Sequence, residues 1–125
     1  MAYKIENGVF SCENNLFGGS LDLRGTGITS LPDGLHVGGD LDLSGTGITS
    51  LNVNIVVFGI KSSKLTFIDL AYQVYITDSH IKIGCQLKTV SEWRAITEKE
   101  CRMMDGDKAV SFFKNDLPTI LDMTK

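Results

Sequence analysis

Apolar and polar residues alternate over very short runs along most of this chain, and the runs recur. Leu21-Asp22-Leu23 and Leu41-Asp42-Leu43 are the clearest. Each has a period of two residues and predicts a short half-buried strand, leucines inward and aspartate outward. They belong to a stretch written twice: Gly18–Leu31 reads GGSLDLRGTGITSL and Gly38–Leu51 reads GGDLDLSGTGITSL, with twelve of fourteen positions identical at a spacing of 20. A fixed period of this length predicts stacked coils, because one coil cannot bury its own apolar edge. Gly25-Thr26-Gly27 and Gly45-Thr46-Gly47 mark sharp turns after each strand. Ile28 and Leu31, like Ile48 and Leu51, then return to the interior.

Beyond Leu51 the pattern weakens but can still be followed. Phe58-Gly59-Ile60 with Leu65 and Ile68 reads as a fourth coil after a shift of 17, and Val74-Tyr75-Ile76 with Ile81 as a fifth after another 16. Residues 1–17 read as an N-terminal cap and an abbreviated first coil, a strand feeding directly into the sheet. The repeats then span 18–85, and a helical C-terminal cap occupies 86–125. In that cap Thr89-Val90-Ser91-Glu92 is a capping-box sequence opening a helix over about 90–103. Asp105-Gly106-Asp107 breaks it, and Val110, Phe113, Leu117 and Leu121 carry a second helix that Pro118 kinks or restarts.

Leu41, Leu43, Thr46 and Ile48 fit the leucine-rich-repeat pattern LxLxxNxL with threonine in place of asparagine, and Thr29–Leu35 (TSLPDGL) looks like the proline-marked convex side of short bacterial repeats. More closely, the chain resembles small repeat proteins encoded by bacteriophages and prophages, with GGxLDLxGTxI coils and FxCxNN coils, the latter at Phe10–Asn15. The resemblance covers roughly residues 9–85, and Ile81–Trp93 is similar to the closing segment of those proteins. It implies an α/β fold: a short right-handed leucine-rich-like solenoid with a small parallel β-sheet and a C-terminal helical cap. Its handedness would follow the general rule for parallel crossovers. The implied function is a non-enzymatic protein-binding module of phage or prophage origin, a steric inhibitor of a host enzyme or bacterial defence system of the anti-CRISPR type.

Bulk properties narrow the class. A chain of 125 residues is one domain's worth, and 42% hydrophobic content suits a soluble fold with a core. Fifteen acidic against twelve basic residues give a net charge of −3, which is no electrostatic footprint for nucleic acid. The start MAYKIENGVF lacks a basic region followed by an apolar run, and no stretch approaches a membrane span. Cys12, Cys85 and Cys101 are odd in number and lack metal-type spacing, which points to a reducing compartment, the host cytoplasm.

Candidate chemistry is sparse. Asp22 and Asp42 should stack one coil apart, roughly 5 Å in the pairing direction, and like charges there raise each other's pKa. With Asp40 they could form a cation or carboxylate site; the plainer reading is an exposed ladder that recurs with the duplication. No histidine or nucleophile shares their frame, so no catalytic residue, metal ligand or cofactor is assigned. The glycine runs read as turns, His36 and His80 as exposed turn residues, the cysteines as small apolar packing, and Trp93 as the anchor of the helical cap.

The outward strand face is the expected interaction surface. Its rungs read Ser20, Asp22, Arg24; Asp40, Asp42, Ser44; Val57, Gly59, Lys61; and Gln73, Tyr75, Thr77. Asp22, Arg24, Asp40, Asp42, Lys61 and Tyr75 are the candidate protein-binding residues, with Tyr75 as an exposed hot spot. The expected partner is a host or phage protein, with no nucleic acid and no membrane. A structural, self-assembling role through the exposed edge of the first coil is the further alternative.

Overall fold

The doubled stretch pairs with itself. In the computed structural model, which describes residues 3–124, position i of the first copy lies opposite i+20 of the second, and the N–H groups of Leu21, Leu23 and Gly25 donate to the carbonyls of Asp40, Asp42 and Ser44. The elements in chain order are β1 (Tyr3–Glu6), β2 (Val9–Cys12), a 3-10 turn (Glu13–Asn15), β3 (Leu16–Phe17), β4 (Leu21–Asp22), β5 (Leu35–Val37), β6 (Leu41–Asp42) and β7 (Ser50–Leu51). There follow β8 (Ile55–Val57), β9 (Ile60–Ser62), β10 (Leu65–Asp69), β11 (Gln73–Ile76), β12 (His80–Ile83) and β13 (Gln86–Thr89). Three helices close the chain: α1 (Val90–Arg94), α2 (Glu98–Asn115) and α3 (Leu117–Asp122).

β4 and β6 run parallel with Leu21 opposite Leu41 and Asp22 opposite Asp42. β3, β5 and β8 run parallel beside them, and β9 joins β8 antiparallel. Such close stacking explains the glycine pairs. A Cβ on Gly38 would lie 2.7 Å from the Gly18 carbonyl oxygen, and one on Gly39 would lie 2.8 Å from the Ser20 nitrogen. Threonine at the next turn acts as a staple. The Thr46 hydroxyl donates to the Leu43 carbonyl at 2.7 Å and accepts from the Ile48 N–H at 3.2 Å.

The expected right-handed leucine-rich-like solenoid with a small parallel sheet is not the fold of this chain. The fold is mixed α and β, and its largest sheet, ordered β13-β12-β11-β10-β7, is antiparallel throughout. The segments read as fourth and fifth coils are hairpins. Phe58-Gly59 reverses the chain with both residues at positive φ (55° and 73°), the signature of a two-residue hairpin turn. Gly84-Cys85 is a second two-residue connection, and β10 joins β11 through only three residues. A parallel crossover needs a dozen residues or more, so these links permit antiparallel pairing alone. The N-terminus differs as well. Instead of a strand entering the sheet, β1 and β2 form a hairpin around Asn7-Gly8, again both at positive φ.

The five-stranded sheet separates two apolar clusters. Alternate side chains of a strand point to opposite faces. Leu65, Phe67 and Tyr75 accordingly join Phe10, Leu21, Leu23, Leu41 and Leu43 on the repeat side. Val74, Ile76, Ile81 and Ile83 join Trp93, Phe112, Leu117 and Ile120 on the helical side.

The expected capping box forms at α1: the Thr89 side chain accepts from the Glu92 N–H while Glu92 accepts from the Thr89 N–H. The helix expected over 90–103 is interrupted at Ala95, and a second capping box, Thr97 with Glu100, starts α2. α2 breaks at Asp105-Gly106, and Pro118 sits in the first turn of α3, where its missing N–H costs nothing.

Candidate functional site

Asp22, Arg24 and Asp42 meet on the outer surface of β4 and β6. The parallel register sets the two aspartates side by side, and Arg24, two residues beyond Asp22, shares their face. The Arg24 Nε donates to Asp22 Oδ1 at 2.9 Å and its Nη2 donates to Oδ2 at 2.7 Å. The same Nε lies 3.6 Å from Asp42 Oδ2. One planar guanidinium therefore engages both carboxylates, the fork geometry that arginine is suited to. The mutual rise in pKa expected for two stacked carboxylates is reversed at Asp22. Hydrogen bonds from the Arg24 side chain and then from its backbone N–H hold Asp22 below the usual carboxylate range. The Asp22 carboxylate in turn pushes the Arg24 guanidinium up.

The remaining oxygen of Asp42 is also engaged. Oδ1 accepts from the Ser44 hydroxyl at 2.7 Å, the Ser44 N–H at 3.0 Å and Gln73 Nε2 at 3.4 Å. A cation bound between Asp22 and Asp42 would have to displace Arg24. Among the described residues no group of three or more His, Cys, Asp or Glu side chains is arranged to hold a metal ion. Asp40 is exposed at the start of the same row, where its N–H donates to the Ser20 hydroxyl.

The other two candidate residues do not join this group. Lys61 is exposed on β9, opposite Val56, in the separate four-stranded sheet. Tyr75 is corrected from an exposed hot spot to a core residue at 2% exposure. Its ring packs on Phe58 and Phe67 at centroid distances of 5.1 and 4.9 Å, and its hydroxyl accepts from the Leu43 N–H at 3.0 Å. The reason is that β11 is the central strand of a sheet covered on both faces, so its alternation has no solvent side. Burial raises the Tyr75 phenol far above its ordinary range. His36 is exposed on β5, His80 Nδ1 lies 2.7 Å from the Ser79 hydroxyl, and Cys85 is exposed rather than packed.

The structure adds an apolar border that the sequence pattern did not single out. Leu16, Val9 and Tyr3 are 55%, 46% and 45% exposed. Leu16 and Tyr3 line an open depression of about 490 Å³ together with Lys4, Ser11, Cys12, Glu13 and Asn14. Tyr3 also contacts the ring of Phe17, the neighbour of Leu16 on β3. Among the described residues β3 pairs only with β5 and β4 only with β6, so both are edge strands. Residues 16–24 thus form one outer row, with Leu16 at its start and the Asp22–Arg24 pair at its end. The Asn7-Gly8 dipeptide between two apolar-alternating runs was the available signal for the hairpin that frames it.

No protein-family model, curated protein or solved structure matches this chain. No helix among the described residues is long and apolar enough to cross a membrane.

Proposed function

We propose that this protein is a non-enzymatic protein-binding module whose interface is the outer row of β3 and β4. The observation that carries the reading is the combination of an edge strand with half-exposed Leu16 and Tyr3 beside it and a pre-set ion pair further along. Edge strands accept an added strand through main-chain hydrogen bonds, and flanking apolar side chains give such contacts their specificity. Arg24, already held by Asp22, offers its charge to a partner with less rotamer freedom to lose. The partner is a host or phage protein, met in the host cytoplasm, and the action is steric: the row covers a working surface of the partner. The phage setting and the inhibitory role rest on the resemblance of the GGxLDLxGTxI and FxCxNN coils.

The test is affinity capture from a bacterial host with four tagged proteins: wild type, Leu16→Asp, Arg24→Glu, and Met103→Asp as a control. Met103 is 78% exposed on α2. A partner held by wild type and Met103→Asp, and lost with Leu16→Asp, is the expected result; Arg24→Glu should weaken capture. Circular dichroism checks that each variant folds. An identical set of captured proteins for Leu16→Asp and wild type would remove the outer row from consideration.

A further inference from the structure

On the far side of the five-stranded sheet the helices leave a cleft of about 250 Å³. Tyr72, Trp93, Phe112 and Phe113 contribute aromatic rings to its wall, and Asp105 is the single carboxylate among the described residues that line it. Among the described residues no lysine, arginine or histidine lines it.

The break in α2 puts the carboxylate there. Gly106 has φ 61° and ψ −142°, a combination essentially closed to residues with a Cβ, and Asp105 before it also leaves the helical path. Asp105 is then held by the Tyr72 hydroxyl, which donates to its Oδ2 at 2.6 Å. Burial and the neighbouring carboxylate push the Tyr72 phenol up to about 12, so it remains a donor at neutral pH. Asp105 Oδ1 makes no hydrogen bond or ion pair with any described residue. Tyr72 meets Phe112 edge-on at a centroid distance of 5.1 Å. The ammonium of Lys108 lies 4.6 Å from the centroid of Tyr72, so one face of this ring is already taken by a protein cation, and the rings of Trp93, Phe112 and Phe113 are the ones left for a ligand.

Aromatic faces attract ammonium groups, and the exposed Asp105 carboxylate at the cleft adds a negative charge. The volume is just under the range of about 300–1,000 Å³ that suits drug-sized molecules, so the occupant must be smaller. We propose that this cleft binds a small organic ammonium, an alkyl- or arylalkylamine. Its apolar body packs among the rings, and its charged head faces Asp105. The site is independent of the outer row, and a failure of either reading leaves the other standing.

Trp93 is the chain's only tryptophan and lines the cleft, so its fluorescence reports occupancy directly. Phenethylammonium and its neutral counterpart 2-phenylethanol are the probes, titrated against the full chain. Phenethylammonium should change Trp93 emission saturably and bind about tenfold more tightly than the alcohol. Asp105→Asn keeps an acceptor for the Tyr72 hydroxyl; it should lower affinity for the amine to that for the alcohol and leave the alcohol unchanged. Ala109→Leu, which fills the cleft, should abolish both signals. No saturable change, equal affinity for amine and alcohol, or amine binding that survives Ala109→Leu would each overturn the proposal. The amine-to-alcohol ratio in wild type decides the matter alone where a variant fails to fold.

Discussion

Tyr75 joins two parts of the molecule through one hydroxyl. Its oxygen accepts the Leu43 N–H at 3.0 Å, so a β11 side chain closes a backbone bond that the parallel row of β6 leaves open. Tyr75→Phe keeps the ring contacts with Phe58 and Phe67 and removes only that acceptor. The buried N–H is then left without a partner, at a cost of about 1–3 kcal/mol. Urea denaturation should show that loss, with an unchanged m-value because the exposed area is the same. A midpoint equal to wild type would mean that the hydroxyl contributes nothing to joining β11 to β6. The misreading of Tyr75 as a surface residue has a clear physical origin. Period-two alternation identifies which neighbours share a face, but not whether the other face meets water. Val74, Tyr75 and Ile76 are all buried because helices cover one side of the sheet and the repeats cover the other.

At the level of elements, the parts readable in the sequence were those specified locally. The Leu-Asp-Leu runs, the pairing of the two copies at a spacing of 20, and the Thr89–Glu92 capping box all depend on residues within one short stretch or its duplicate. The N-terminal hairpin and the hairpins from Phe58 onward do not follow from the repeat pattern, although Asn7-Gly8, Phe58-Gly59 and Gly84 carry the turn chemistry. Weak matches to the repeat at Phe58–Ile60 and Val74–Ile76 took precedence over loop lengths too short for a parallel crossover. The glycine runs read as turns in the sequence, but for Gly38 and Gly39 the structure shows close stacking on the first copy instead. Gly38 does not need positive φ, so alanine there is opposed only by the Gly18 backbone, with its carbonyl oxygen 2.7 Å away. Gly38→Ala should destabilise by about 1–3 kcal/mol, the usual cost of overpacking. All three contact atoms are Gly18 backbone, so relief requires the β4 and β6 rows to separate. Amide exchange at Leu21 and Leu23, whose N–H groups donate to Asp40 and Asp42, is the measurement. Exchange no faster than in wild type would show that the rows do not depend on this contact.

The whole molecule is organised by its septum. β10 and β11 give one set of side chains to the repeat-side core and the alternate set to the helical core, and neither core is complete without them. Loss of one side therefore exposes apolar residues of the sheet that holds the other. A chain of 125 residues with shared strands should unfold in a single cooperative step. Ile81 tests this coupling, since it is fully buried on the helical side, below Trp93, whose indole N–H donates to the Ile81 carbonyl at 2.7 Å. Ile81→Ala should cost about 2–5 kcal/mol as a cavity-forming substitution. If the two cores are coupled, urea unfolding followed by Trp93 emission and native-state exchange of the Leu23 amide, deep in the repeat-side core, should report the same loss. If Trp93 emission shifts while Leu23 exchange stays at its wild-type rate, the repeat side stands on its own and the septum does not join the cores. The coupling also bears on the two proposed sites, because the outer row and the aromatic cleft lie on opposite sides of this sheet. A ligand that binds only the folded cleft would then raise the stability of the outer row by mass action, without any change in its shape.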